Sequence, residues 1–291
     1  MAGAFEVLST SRKMLEKYPE ITERLDVPSH IAAWLAFFFA LDGLCLVMLP
    51  RLLPAADWET KVKIREALVS SAHDLLTVPF VFSLLAAVSH TEEGPGGFLG
   101  IGPLAHIPMA DIDRVGGCFA AFLLWDSAHT LMHSVTYAKA MVENLVHHAA
   151  FLSMLLLNRN TLWCNYVFPL LLMAEWSTLL LNARVIYRLL GRTETLVSAL
   201  FALTFFVTRI VVFGALLLHL FSQFSELSAL LPPMLQLSYF GLLPAVYGLN
   251  WFWFTKIVGG IMRVLQGQDD GSADGYSAAD AEEAKREAKR R

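Results

Sequence analysis

Seven apolar runs, each long enough or nearly so to cross a bilayer as a helix, dominate the chain at about 30–50, 67–89, 114–136, 141–158, 161–183, 196–221 and 235–258. A helix needs about 20 predominantly apolar residues to span hydrocarbon, and within lipid every backbone polar group must be bonded internally. An all-α, polytopic transmembrane bundle of about seven spans is therefore expected. Composition agrees: hydrophobic residues make up 56% of 291 positions and charged residues 16%, with a mean hydropathy of +0.52. No strand-like alternation persists long enough for a barrel, and no fixed repeat is present.

The flanks differ from this centre. Residues 1–29 mix Phe5, Leu8, Leu15, Tyr18 and Ile21 with charges of both signs, the pattern of an amphipathic leader lying on a membrane surface. Residues 30–265 form the transmembrane domain. Residues 266–291 are rich in Gly, Ala, Asp, Glu and Lys, a composition that buries too little apolar surface to fold alone. Cys45, Cys118 and Cys164 lie in or beside apolar runs without ligand spacing, so neither a disulfide framework nor a resident metal is expected from them.

Loop charge sets orientation. Arg51, Lys61, Lys63 and Arg65, then Lys139, then Arg184, Arg188 and Arg192 fall on one side with Arg263 and the basic end of the tail. Segments 90–113 and 222–233 on the other side hold no Lys or Arg. The C-terminus is expected in the cytoplasm. The basic residues mark topology rather than a patch interleaved with aromatics, so nucleic acid is not an expected partner.

Ionisable residues within lipid-embedded helix are expensive and usually functional. Asp126, His129 and His133 are spaced i, i+3, i+7 and share one face of the third run. Glu143 and His147 share a face of the fourth, with His148 rotated by about 100° from His147, so that one of the two points at the bundle axis. Glu175, Thr178 and Asn182 repeat the i, i+3, i+7 pattern in the fifth, and His73-Asp74 open the second. In that orientation, four helices bring these groups toward one cytoplasmic-side layer, where they would line a polar cavity. Arg209 needs a counter-ion at its depth, and Asp126 or Glu175 would supply it; an anionic headgroup or phosphate is the alternative. Asp42 and His219 stand alone and read as structural or interfacial, and Trp251 and Trp253 as an interfacial belt. The same polar side chains could instead serve only to hydrogen-bond helices together.

His147-His148 at the head of a helix, the element Glu175-Trp176-Ser177-Thr178, then Asn182-Ala183-Arg184, with Asp126 on the preceding helix, resemble the TLC-domain family, in particular its non-synthase branch related to ceramide synthases. The resemblance covers roughly residues 60–260. It implies a multi-pass protein of the endoplasmic reticulum acting in membrane lipid homeostasis, with membrane lipids as partners. Where ceramide synthases carry a second His and Asp cluster about one helix later, this chain has Glu175, Ser177 and Thr178.

If the chain is instead an acyltransferase, no cofactor is needed beyond acyl-CoA as donor to a long-chain base. His147 or His148 would then act as base or nucleophile, Asp126 or Glu175 would orient it, and Arg209 would take the donor's phosphates. In both readings Arg209, Thr178, Asn182, His129 and His133 line the lipid or acyl-CoA cavity. His129-x-x-x-His133 and His147-His148 also resemble fragments of the histidine boxes of di-iron desaturases and hydroxylases. Nine histidines, four of them on the far side, are few for such a cage.

Overall fold

The computed structural model describes residues 27–89, 109–137, 141–158, 167–225, 228 and 233–266. The leader up to residue 26 and the tail from 267 onward lie outside the described residues, as does Cys164. Among the described residues every regular element is helical, and all seven apolar runs contain helix.

The first rod is α1 (Val27–Leu52), followed after a short turn by α2 (Trp58–Ser89), α3 (Met109–Met132) and α4 (Met141–Asn158). The fifth run is broken into α5 (Val167–Leu172) and α6 (Glu175–Leu189). The sixth is α7 (Thr195–Phe205), a π-helical stretch Phe206–Val212 and α8 (Phe213–Ser222). The last is α9 (Pro233–Leu237), a second π stretch Ser238–Leu242 and α10 (Leu243–Leu265). By length and composition, His30–Leu52, Val167–Leu189 and Thr195–Ser222 are long and apolar enough to cross a membrane.

α3 lies at the centre, packed against α1, α2 and α4. Every residue from Val115 to Leu123 is buried, and Phe119, Phe122 and Trp125 belong to one core with Phe38 of α1, Val69 of α2 and Leu216 of α8. A helix apolar on all sides must be enclosed on all sides. The outer rods show the reverse. Phe37, Leu44 and Val47 on α1 and Leu203, Val211 and Leu218 on the sixth rod are exposed, a surface suited to acyl chains rather than water.

Two departures from regular α geometry shape the polar interior. Between α5 and α6 the backbone tightens, with the amides of Met173 and Ala174 donating to the carbonyls of Pro169 and Leu171 and Ser177 Oγ donating to Ala174 O at 2.7 Å. Glu175 thereby falls in the first turn of α6, where the helix dipole favours a carboxylate. The π stretch Phe206–Val212 widens the sixth rod around Arg209. Tyr247 of α10 donates its hydroxyl to Ile210 O at 3.1 Å, an approach that Gly214 permits: a Cβ there would lie 2.6 Å from Tyr247 Oη.

Candidate functional site

The polar residues resolve into three linked groups. In the first, Arg209 is buried, its Nε donating to Ser177 Oγ and an Nη to Thr178 Oγ1, both at 2.9 Å. Glu175 Oε1 stands 3.7 Å from Arg209 Nη2, and Phe205 places its ring 5.5 Å from the guanidinium carbon. Of the two acids available by depth to Arg209, the ion pair forms with Glu175. The break before α6 and the π turn set the two partners against each other.

α2 adds His73 and Asp74 to this group. Both are fully buried, with Nδ1 3.1 Å from Oδ1, and the His73 ring stacks on Phe122 with centroids 4.2 Å apart. One donor atom from each of His73, Asp74 and Glu175 lies within 4.8 Å of the others. Next to them Asn182 Nδ2 donates to Ser70 Oγ at 2.9 Å, tying α6 to α2.

The second group joins α3 and α4. His148 Nε2 lies 3.4 Å from Asp126 Oδ2, and Ser127 Oγ lies 3.3 Å from His148 Nδ1. The imidazole thus sits between a carboxylate and a hydroxyl. His147 turns away, its ring 4.7 Å from Phe151 and 5.2 Å from Trp253. Trp253 Nε1 donates to Glu143 Oε2 at 3.3 Å, which ties α10 to α4. The divergence of the two histidines follows from their rotation on the helix.

The third group corrects the reading of Asp42 as isolated. Arg65 Nε stands 2.9 Å from Asp42 Oδ1, and an Arg65 Nη stands 2.6 Å from His133 Nε2. His129 Nδ1 lies 3.8 Å from the same Asp42 oxygen, with its ring 4.7 Å from that of His133. Tyr137 donates its hydroxyl to Glu66. Arg65, a loop charge by sequence pattern, is buried inside α2.

The sequence does contain a signal for the α2 contribution. Glu66, Ser70, His73, Asp74 and Thr77 follow i, i+4, i+7, i+8, i+11, a polar stripe along one helix face. Several buried atoms find no hydrogen-bond partner within the protein: Trp125 Nε1, Asp126 Oδ1, Thr130 Oγ1, His147 Nδ1, His73 Nε2 and Asp74 Oδ2. Buried polar atoms are bonded in the great majority of cases, so a run of exceptions on α3 and its neighbours marks a place of contact with something else.

Residues 63–259, more than half of the chain, match the family model described as TLC domain. No curated protein matches the sequence.

Proposed function

The chain belongs to the TLC-domain family, and from that premise we propose that it binds a membrane lipid or acyl chain at its intramembrane polar layer and acts in membrane lipid homeostasis. The observation that carries this reading is the set of partnerless buried atoms around the α3–α4 contact, Trp125 Nε1, Asp126 Oδ1, Thr130 Oγ1 and His147 Nδ1. An amphiphile brings both halves of what such a place needs: headgroup donors and acceptors for these atoms, and chains for the apolar faces around them. The test is mass spectrometry of lipids that co-purify with the full chain in mild detergent. The reading expects a defined lipid class that is lost or exchanged in Asp126→Ala; recovery of the bulk membrane composition from both proteins would refute it.

A second reading, lipid acyl transfer, is favoured by one feature, the His148 imidazole between Asp126 and Ser127. A carboxylate on one ring nitrogen orients an imidazole and stabilises its protonated form, which is what a general base for an attacking amine or hydroxyl requires. Incubating the protein with acyl-CoA and a long-chain base, and following product by mass spectrometry, separates the two readings. Acylated product that disappears in His148→Ala would establish the enzyme, and its absence with bound lipid intact would establish the binder.

A further inference from the structure

We propose that His73 and Asp74 of α2, together with Glu175 at the start of α6, form a divalent-metal site suited to Zn2+. The three side chains come from two helices and present one donor atom each within 4.8 Å of one another, with His73 and Asp74 fully buried and Glu175 nearly so. Tetrahedral zinc with N and O ligands at about 2.0–2.1 Å places its ligands about 3.4 Å apart. The trio therefore needs only side-chain rotation to close on an ion. His73 and Asp74 already stand at 3.1 Å.

Two further observations point to a cation. Asp74 Oδ2, on a residue fully buried in the bundle, has no hydrogen-bond partner within the protein. Charge balance points the same way. Among the described residues the buried and half-buried polar groups include the carboxyls of Asp42, Glu66, Asp74, Asp126 and Glu175 against the guanidinium groups of Arg65 and Arg209. Arg65 is taken by Asp42 and Arg209 by Glu175, which leaves Asp74 without a guanidinium in contact. Buried carboxyls that outnumber buried cations must be neutralised, by protons or by a bound ion. A dication between Asp74 and Glu175 would offset part of that excess.

The donor set selects the ion. One imidazole and two carboxylates suit zinc or manganese rather than a soft thiolate-seeking metal, and zinc stands above manganese in intrinsic affinity. The Phe122 ring stacked on His73 and the Thr77 hydroxyl bonded to the His73 carbonyl hold α2 and the imidazole in place, as groups around a metal centre commonly do. Arg209 stands 3.7 Å from Glu175 Oε1. The site is independent of which lipid reading holds, since none of its three residues belongs to the Asp126–His148 contact.

The experiment uses the full chain in mild detergent, stripped with chelator, reloaded with Zn2+ alone and dialysed, with metal read by inductively coupled plasma mass spectrometry and thermal unfolding read in parallel. The wild-type protein should retain about one equivalent of zinc and melt higher when loaded. His73→Ala and the near-isosteric Asp74→Asn should each weaken retention by at least about tenfold, whereas His219→Ala should keep it. Because either α2 change could disturb folding, Co2+ loading of the wild-type protein supplies a second readout: absorption bands of N/O-ligated cobalt that Zn2+ displaces. Absence of retained zinc and of cobalt bands in the wild type would overturn the proposal. So would equal zinc retention by Asp74→Asn, His73→Ala and the parent.

Discussion

Replacing Arg209 by Met removes the positive member of a buried pair while keeping the length of its stem. The side chain makes two hydrogen bonds at 2.9 Å and stands 3.7 Å from Glu175, and it is only 7% exposed. Two interhelical hydrogen bonds at the membrane average of about 0.6 kcal/mol each amount to about 1.2 kcal/mol. An exposed ion pair would add about 0–1 kcal/mol, but stranding one member of a buried pair costs about 3–5 kcal/mol. The electrostatic part therefore dominates, and Arg209→Met should lower stability by about 3–5 kcal/mol. Glu175→Gln should lower it comparably by stranding the guanidinium. In Arg209→Met/Glu175→Gln neither charge is left alone, so the double variant should be at least about 2 kcal/mol more stable than the summed single losses imply. The assay is reversible unfolding of the full chain in mild detergent titrated with sodium dodecyl sulfate, in chelator so that no metal contributes. Single losses that add to within about 0.5 kcal/mol in the double variant would show that the two side chains do not act as a pair and would refute the reasoning.

Gly214→Ala should push the Tyr247 phenol off Ile210, because the new methyl would meet Oη at 2.6 Å and Cζ at 3.2 Å. A thermal melt should show a loss of about 1–3 kcal/mol, partly restored by adding Tyr247→Phe. Asn182→Ala removes the bond to Ser70 between α6 and α2 and should cost about 0.6 kcal/mol in the same unfolding assay. Asp57, in the turn before α2, accepts the Thr60 amide at 2.7 Å, which holds its carboxyl below the usual carboxylate range. A depressed folded value means that the cap contributes fully above the unfolded value of about 3.9 and is lost as pH falls through the folded value. Hydrogen-exchange protection factors in the first turn of α2 should accordingly fall on acidification in the parent but not in Asp57→Asn, which caps without titrating.

The helices are legible in the sequence because lipid-facing helices must be apolar over a fixed length, and that signal survives without knowledge of any tertiary contact. Asp126, His148, Glu175 and Arg209 are legible for the opposite reason: in such runs an ionisable residue stands out. Their pairing is only half legible. Depth narrows Arg209 to two acids, but the choice of Glu175 depends on rotation about the sixth rod, which sequence spacing does not fix. Asp42 reads as isolated because its partner, Arg65, falls among the apparent loop cations. α2 begins at Trp58, before the apolar run does, so Arg65 lies within the helix and turns inward. The hydrogen bond of Trp253 to Glu143 is not legible either, because composition marks the aromatic cluster and not its partners.

What periodicity misses altogether is the pair of irregular turns, and these place the Arg209–Glu175 ion pair. An ideal α-helix through 167–189 would bond the Glu175 amide to the carbonyl at Leu171 and leave no helix start beside the carboxyl. The break after Leu172 creates that start, so the acid lies in the first turn of α6, at the positive end of the helix dipole. On the opposite rod, seven π-helical residues shift the rotation of everything before them relative to everything after. Arg209 sits inside that shift, and this lets one guanidinium meet Ser177, Thr178 and Glu175 across α6 while Ile210 turns its carbonyl to Tyr247. Each irregularity weakens its own helix locally, and each is offset by a bond that forms only because the other exists. Straightening either one should therefore release the ion pair. A one-residue deletion within Phe206–Val212, which restores α geometry, should reproduce the stability loss of Arg209→Met even though the arginine remains.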